Sequence, residues 1–267
     1  MSDRHGEVRH SPAVWAAYRA YTVESAAGFL LPHLKPGDSL IDLGCGEGWI
    51  TRGLAQAVAP GRVVGVDLRP PLIDYARTVQ PLPDNLTFMV GDLHRLDLPP
   101  ASFDVAFFHQ VLQRVPDPVA ALQAAARLVK PGGIVASQDA DYGCVGWHPA
   151  TTAWPSWQRI FLALGEARGV DLRVARRLIE IAQLAGLTDI RHQASVATFP
   201  GVTGIQLYTE AWADRLTSPS FVRQAVQAKV ATKAELHSLA EELKVWSRHP
   251  AAFFGLPEGE LIARVPA

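Results

Sequence analysis

Ser39–Trp49 reads SLIDLGCGEGW. The apolar residues Leu40, Ile41 and Leu43 surround an acid, Asp42, and lead into Gly44, Gly46 and Gly48 at every second position. Ile50, Leu54, Ala57 and Val58 then recur at helical spacing. The stretch predicts strand, glycine turn and helix. Glycine lacks Cβ, so such a turn can bend sharply and let the backbone come close to a nucleotide-like ligand.

Working outward, the pattern repeats. Arg62–Asp67 (RVVGVD) is a β-branched run closing on an acid, followed by a helical segment from about Arg69 to Gln80. Leu86–Val90 is a third strand with Gly91-Asp92 just past it, and Phe103–Phe108 a fourth. Asp117-Pro118 supplies an N-cap and a first-turn proline for a helix that Lys130-Pro131-Gly132-Gly133 ends, before a fifth strand at Ile134–Ser137. Thr188–Thr198 and a segment around Phe253–Val265 supply two more. Strands alternating with helices predict an α/β fold, a doubly wound, seven-stranded, mostly parallel sheet with helices on both faces.

Upstream, Ser11-Pro12 starts a helix in which Val14, Tyr18 and Tyr21 share a face, after a loose tail over residues 1–10. Residues 139–170 concentrate Asp139, Asp141, Tyr142, Trp147, His148, Trp154 and Trp157 among turn-forming residues and read as an insertion. Residues 200–231 are loosely helical, and Thr232–Glu235 is a capping box for a helix carrying Leu236, Leu239, Leu243 and Trp246. No repeat or flexible linker divides the chain. We expect one domain over 1–267: a helical cover (1–37), a ligand-binding core (38–140) and insertions on the substrate side (139–170 and 200–249).

Composition narrows the partners. The 267 residues are 48% hydrophobic, which suits a well-cored globular protein, and 25 basic against 26 acidic residues leave no electrostatic footprint for nucleic acid or an anionic membrane. Two cysteines, Cys45 and Cys144, form neither a disulfide framework nor a metal-like pair, which fits a reducing cytoplasm. No apolar run approaches the roughly 18 residues of a membrane helix.

The glycine turn excludes two common ligands. A dinucleotide fingerprint requires a small residue where Trp49 stands, and a phosphate-cradling Walker loop requires a lysine after its last glycine. What remains is an acid before G-x-G-x-G and a second acid, Asp67, ending the next strand; 67 − 42 = 25 positions separate them, near the ~20 expected of a ribose-binding carboxylate.

Taken together, LIDLGCGEG, VVGVD, VGDLHRLDLP, FDVAFFHQVLQRVPDP and LVKPGGIVASQDAD resemble, in order and spacing, the motifs of class I S-adenosylmethionine (SAM) dependent methyltransferases. The nearest shape is the branch that includes ubiquinone, menaquinone and natural-product methyltransferases. The resemblance covers roughly residues 34–140. It implies SAM as cofactor, with Asp67 at the ribose, its neighbour Leu68 also in contact with the cofactor, and Asp42, Gly44, Cys45 and Gly46 around the methionine portion. Gly91, Asp92 and Leu93 would lie at the adenine, and His109 and Gln110 at the cofactor through their backbone. Asp42 could instead only cap its turn. His109 is either a general base or a polar lining residue.

Missing motifs shape the acceptor. HQVL stands at 109–112, where the resembled adenine-N6 and glutamine enzymes carry [NDS]-P-P-[YF]. His109 also replaces the acid that metal-dependent catechol enzymes place there, so no catalytic metal is expected, and Asp139 and Asp141 read as loop caps. Tyr18, Tyr21, Tyr142, Trp147 and His148 are the candidate substrate residues; the tryptophans of the insertion could equally be core. The expected chemistry is methyl transfer to a small organic acceptor, aromatic, quinone-like or terpenoid, with a homo-oligomer left open. A nicotinamide oxidoreductase and a non-catalytic SAM-binding regulator are the rival readings.

Overall fold

The computed structural model describes residues 11–267 apart from the side chain of Tyr18, so the tail expected over residues 1–10 and the substrate contact expected of Tyr18 lie outside the described residues. The chain opens with α1 (Pro12–Arg19) and α2 (Val23–Ala27). It then alternates through β1 (Leu40–Leu43), α3 (Trp49–Val58), β2 (Val63–Asp67), α4 (Pro70–Thr78), β3 (Leu86–Val90), β4 (Phe103–His109), α5 (Pro118–Leu128) and β5 (Val129–Ala140). Beyond lie β6 (Gly146–His148), α6 (Ala153–Ala167), α7 (Leu178–Leu184), β7 (Thr188–Thr198), α8 (Gly201–Thr217), α9 (Pro219–Gln227), α10 (Lys233–Trp246) and β8 (Phe253–Arg264). Two compact units emerge: a sheet unit of residues 21–141, 172–195 and 257–267, and an aromatic unit of residues 11–20, 142–171 and 196–256.

In the sheet unit the strands run in the order β3-β2-β1-β4-β5-β8, with β7 against β8. Neighbours from β3 to β5 are parallel, and β8 returns antiparallel to β5, with Ile134 opposite Arg264 and Ala140 opposite Glu258. Strand alternation sends Leu40, Val63, Val105 and Phe107 to one face, against Leu54 and Val58 of α3 and Ile73 of α4. Ile41, Val64, Ala106 and Phe108 go to the other, against Leu122 of α5 and Leu178 and Ile181 of α7. Each large side chain so buried contributes about 1.5–3 kcal/mol. The strand order reverses between β1 and β4, and connections leaving there toward opposite faces open a crevice at the carboxyl ends of the strands.

The aromatic unit is built on α6, where Trp154 and Trp157 lie one turn apart and are fully buried. Trp154 packs at 4.2 Å centroid distance from Phe254 and 5.3 Å from Trp246, and Trp157 at 4.6 Å from Trp212. Trp246, on α10, donates Nε1–H to the Pro149 carbonyl at 2.9 Å. The capping box that opens α10 is present, Thr232 and Glu235 each accepting the other's backbone N–H.

The mostly parallel α/β sheet is as expected, and four local readings are corrected. First, Tyr21 is not on the N-terminal helix: α1 ends at Arg19, because Thr22 caps a new helix, its Oγ1 accepting the Ser25 N–H. Second, the insertion after β5 contains a three-residue strand, β6, which pairs with Phe253–Gly255 of β8 and is the eighth strand. Third, Lys130–Gly133 does end α5 but is not a free turn; it belongs to β5, whose register with β4 slips between Phe103 and Val105 to absorb the extra residues. Fourth, the helix expected to Gln80 stops at Thr78.

Candidate functional site

The glycine turn is tied to the end of β2: Gly44 and Cys45 both donate their N–H to the Val66 carbonyl, at 2.7 and 2.9 Å. Gly46 donates its N–H to Asp67 Oδ2 at 3.0 Å, and Asp67 Oδ1 accepts the Arg69 N–H at 2.9 Å. All three glycines have positive φ, but for different reasons. A Cβ on Gly44 would lie 2.4 Å from Val111 and one on Gly48 2.3 Å from Phe88, whereas one on Gly46 would meet nothing within 4 Å. Packing demands the outer two. The middle glycine borders open space.

Asp42 is buried on β1 and accepts a hydrogen bond from Thr51 Oγ1 at 2.6 Å. Burial pushes its carboxyl up to about 7, against the Thr51 bond and with a smaller push from the charge of Asp67. Burial, with the charges of Asp42 and Asp67, also drives the Cys45 thiol well above its ordinary value, so Cys45 is a neutral wall and not a nucleophile. Around these groups three apolar side chains face water: Trp49 at 36%, Leu68 at 47% and Val90 at 42% exposure. Gly91 donates its N–H to the Asp67 carbonyl at 3.0 Å, and a Cβ there would strike Leu96. Asp92 caps the short 3-10 turn Leu93–Arg95, accepting the His94 N–H at 3.0 Å.

At the tip of β4, the His109 ring meets Tyr21 edge-on at 4.9 Å. Its Nε2 is shut off from water with no hydrogen-bond partner among the described residues. Burial and the positive charge of Arg114 push the imidazole down to about 3, against a hydrogen bond with Gln138. A general base works best when its pKa lies near the operating pH. Of the two readings of His109, this lowered basicity favours the polar lining residue over the general base. Gln110 adopts φ +58 and is held from several sides. Its N–H donates to the Gln138 carbonyl at 2.8 Å, its carbonyl accepts from Arg114 Nε at 2.8 Å, and its side chain accepts from Gln113 and donates to Glu258 Oε1 at 2.7 Å.

The candidate substrate residues separate. Tyr21 belongs to the sheet unit, while Tyr142, Trp147 and His148 belong to the aromatic unit. Tyr142 is buried edge-on against Phe161 at 4.9 Å, Trp147 is half-buried on β6, and His148 is exposed. Trp154 and Trp157 are core and not walls. Of the two acids read as loop caps, Asp139 caps the turn after β4 from within β5, and Asp141 is ion-paired instead. Asp139 is a buried anchor, accepting from the Gln113 N–H and from Ser137 Oγ, and burial pushes it up to about 7. Asp141 accepts from Arg176 Nε and Nη2 at 2.6 and 2.7 Å. Two residues were missed. Thr51 carried no signal beyond its helix. Glu258 did, as one of two acids, with Glu260, inside the otherwise apolar closing strand. Among the described residues no group of three or more His, Cys, Asp or Glu is placed to hold a metal ion, and no helix is long and apolar enough to cross a membrane.

A ligand with a hydroxyl-bearing sugar and a flat ring needs a carboxylate acceptor, a stretch of backbone free of side chains, and apolar side chains to cover its ring. Asp67, Gly46, and the exposed Leu68, Val90 and Trp49 supply that set, so the residues present fit SAM. The strand order β3-β2-β1-β4-β5 with an antiparallel return beside β5 is that of the Rossmann-like methyltransferase fold. Residues 41–137, about a third of the chain, match the family model described as a methyltransferase domain. An uncharacterized methyltransferase of Schizosaccharomyces pombe is 38% identical over 128 residues, 45% of this chain and 46% of that protein. A ubiquinone biosynthesis O-methyltransferase of Xanthomonas campestris pv. campestris is 38% identical over 104 residues, 37% of this chain and 41% of that protein. These matches span less than half the length of either relative. The solved phosphoethanolamine N-methyltransferase 2 of Haemonchus contortus, in complex with phosphomonomethylethanolamine and S-adenosylhomocysteine (SAH), shares the fold at a TM-score of 0.54 and 20% identity, over 87% of this chain and 50% of that one.

Proposed function

We propose that this protein transfers a methyl group from SAM to a small organic acceptor that is aromatic, quinone-like or terpenoid. The observation that carries the reading is the Asp67 carboxylate, which closes β2 and holds the glycine turn through the Gly46 N–H at 3.0 Å beside the space that a Cβ on Gly46 would enter. In this reading Asp67 accepts the ribose hydroxyls, since a carboxylate is acceptor-only and takes a paired donor well. Leu68, Asp92 and Leu93 hold the adenine, with Gly91 keeping the strand end slim. Gly44, Cys45 and Gly46 carry the methionine portion, Asp42 braces the turn through Thr51, and the backbone of His109 and Gln110 closes the site.

When bound, SAM supplies an electrophilic methyl carbon: the acceptor's lone pair forms the new bond while the carbon–sulfur bond breaks, its electron pair staying on sulfur in SAH. The protein's part is to align acceptor and donor, exclude water and receive a proton where the acceptor must lose one. The naming of the Xanthomonas relative for ubiquinone biosynthesis supports an acceptor of the quinone-like kind.

Isothermal titration with SAM and with SAH tests the reading. Asp67→Ala is expected to weaken both by about a hundredfold, the equivalent of ~3 kcal/mol for hydrogen bonds to a charged acceptor. Unchanged affinity would remove Asp67 from the cofactor site.

A further inference from the structure

We propose that Tyr21 and Glu258 form a proton-accepting pair, with Tyr21 facing the acceptor and Glu258 behind it, and that the acceptor accordingly presents a hydroxyl. The inference rests on the methyl-transfer reading and narrows it from any small acceptor to one that is methylated on oxygen.

Both residues belong to the sheet unit. Tyr21 is half-buried, so part of its side chain reaches solvent, and its ring lies against His109 at the carboxyl tip of β4, beside the point where the strand order reverses. That is the end of an open α/β sheet at which ligands bind. The Tyr21 hydroxyl donates to Glu258 Oε1 at 3.4 Å, and the same oxygen accepts from Gln110 Nε2 at 2.7 Å. Glu258 is only 2% exposed, and Tyr21 and Gln110 are hydrogen-bond partners of its Oε1.

A buried acid with no ion pair among the described residues is costly, which makes Glu258 a functional candidate. The charged groups facing Glu258 are Glu260 on its own strand and Asp139 on β5. Burial first, and then those two carboxylates, raise Glu258 to about 7 against the hydrogen bonds from Gln110 and Tyr21. Arg114 bears on His109 and Asp139. Glu260 offers a contrast two residues on. Its oxygens accept from Gln138, Ser195 and Gln193, which is a bracing role.

Methylation of a hydroxyl releases a proton. As the acceptor's O–H bond breaks and its oxygen takes the methyl carbon, the proton goes to Tyr21 Oη, and the proton that Tyr21 held passes to Glu258 Oε1. Glu258 ends protonated and returns its proton to water on product release. His109, weakly basic, packs edge-on against the Tyr21 ring. Tyr21 is thus a catalytic residue in this scheme and Glu258 a positioning residue that also stores the proton.

The test uses the full chain with SAM and catechol as the hydroxyl probe, read as methyl transfer to catechol across pH. Tyr21→Phe and Glu258→Gln are expected to bind SAH normally and to lower the transfer rate by about a hundredfold, the size of a lost general base. In the wild type the rate should rise with pH through a titration near 7 that Glu258→Gln abolishes, a readout that simple bracing of Gln110 would not move. A wild-type rate that is flat through pH 7, or a Tyr21→Phe rate equal to the wild type's, overturns the pair. So does SAH binding with no catechol binding. Absence of both SAM and SAH binding instead sinks the methyl-transfer reading, and the proton pair falls with it.

Discussion

The glycine turn and the tryptophan cluster use similar apolar material to opposite ends. At the turn, Trp49, Leu68 and Val90 stand between 36% and 47% exposed around a glycine whose missing Cβ borders open space. In the aromatic unit, Trp154 and Trp157 are fully buried, and their rings pack against Tyr142, Phe161, Tyr208, Trp212, Trp246 and Phe254. A concentration of aromatic residues therefore does not mark a binding site; unfilled space beside exposed apolar groups does. Folding completes the tryptophan cluster, while the turn keeps contacts in reserve for a ligand.

The sharpest way to break this contrast is Trp154→Ala. Removing a fully buried indole should cost about 3–5 kcal/mol of stability, read by denaturant unfolding, while SAM affinity of the folded fraction stays within about twofold of the wild type. A large loss of SAM affinity with intact stability would make the cluster a ligand site after all.

A smaller and paired effect separates the glycines. Gly48→Ala drives a Cβ into Phe88 and should chiefly destabilise the fold by about 1–3 kcal/mol. Gly46→Ala meets no neighbour in the protein, so beyond a backbone strain of about 1 kcal/mol its main effect should be on the cofactor, weakening SAM by about tenfold or more in calorimetry. Equal SAM affinities in the two variants would erase the distinction between packing and binding glycines.

The smallest effect concerns pH. Asp139 has its carboxyl raised from the usual carboxylate range to about 7 in the folded protein. Its contribution to stability is therefore fully present below about 4 and is lost as pH rises through 7. Asp139→Asn removes that dependence, so the melting temperature of the variant relative to wild type should climb between pH 5 and pH 8. His109, lowered to about 3, acts with the opposite sign over a lower range, but it does so equally in both proteins. A difference in melting temperature that is flat with pH would mean that Asp139 is already ionised when folded.

How much could be read in advance follows sequence separation. Asp42, Gly44, Gly46, Asp67 and Asp92 were legible because each sits at the end of a strand within a few residues of the turn it serves, where the period of the chain changes from strand to helix. Glu258 was not, for it meets Gln110 across 148 positions, through the antiparallel return of β8 along β5. The same pairing of distant strands created β6, which three residues alone could not announce. Tyr21 was misplaced on the first helix, because the capping box Thr22–Ser25 outweighed the helical spacing around it.

By itself the sequence determined the alternation of strands and helices, the glycine turn and the acids that end β1, β2 and the loop after β3, since backbone sterics and local periodicity act within a few residues. Tertiary structure alone decided which aromatic residues are core, that the His109 ring meets Tyr21, and that a buried acid from the closing strand accepts a hydrogen bond from Tyr21. Those properties depend on burial and on neighbours far along the chain, and desolvation has no signature in local order.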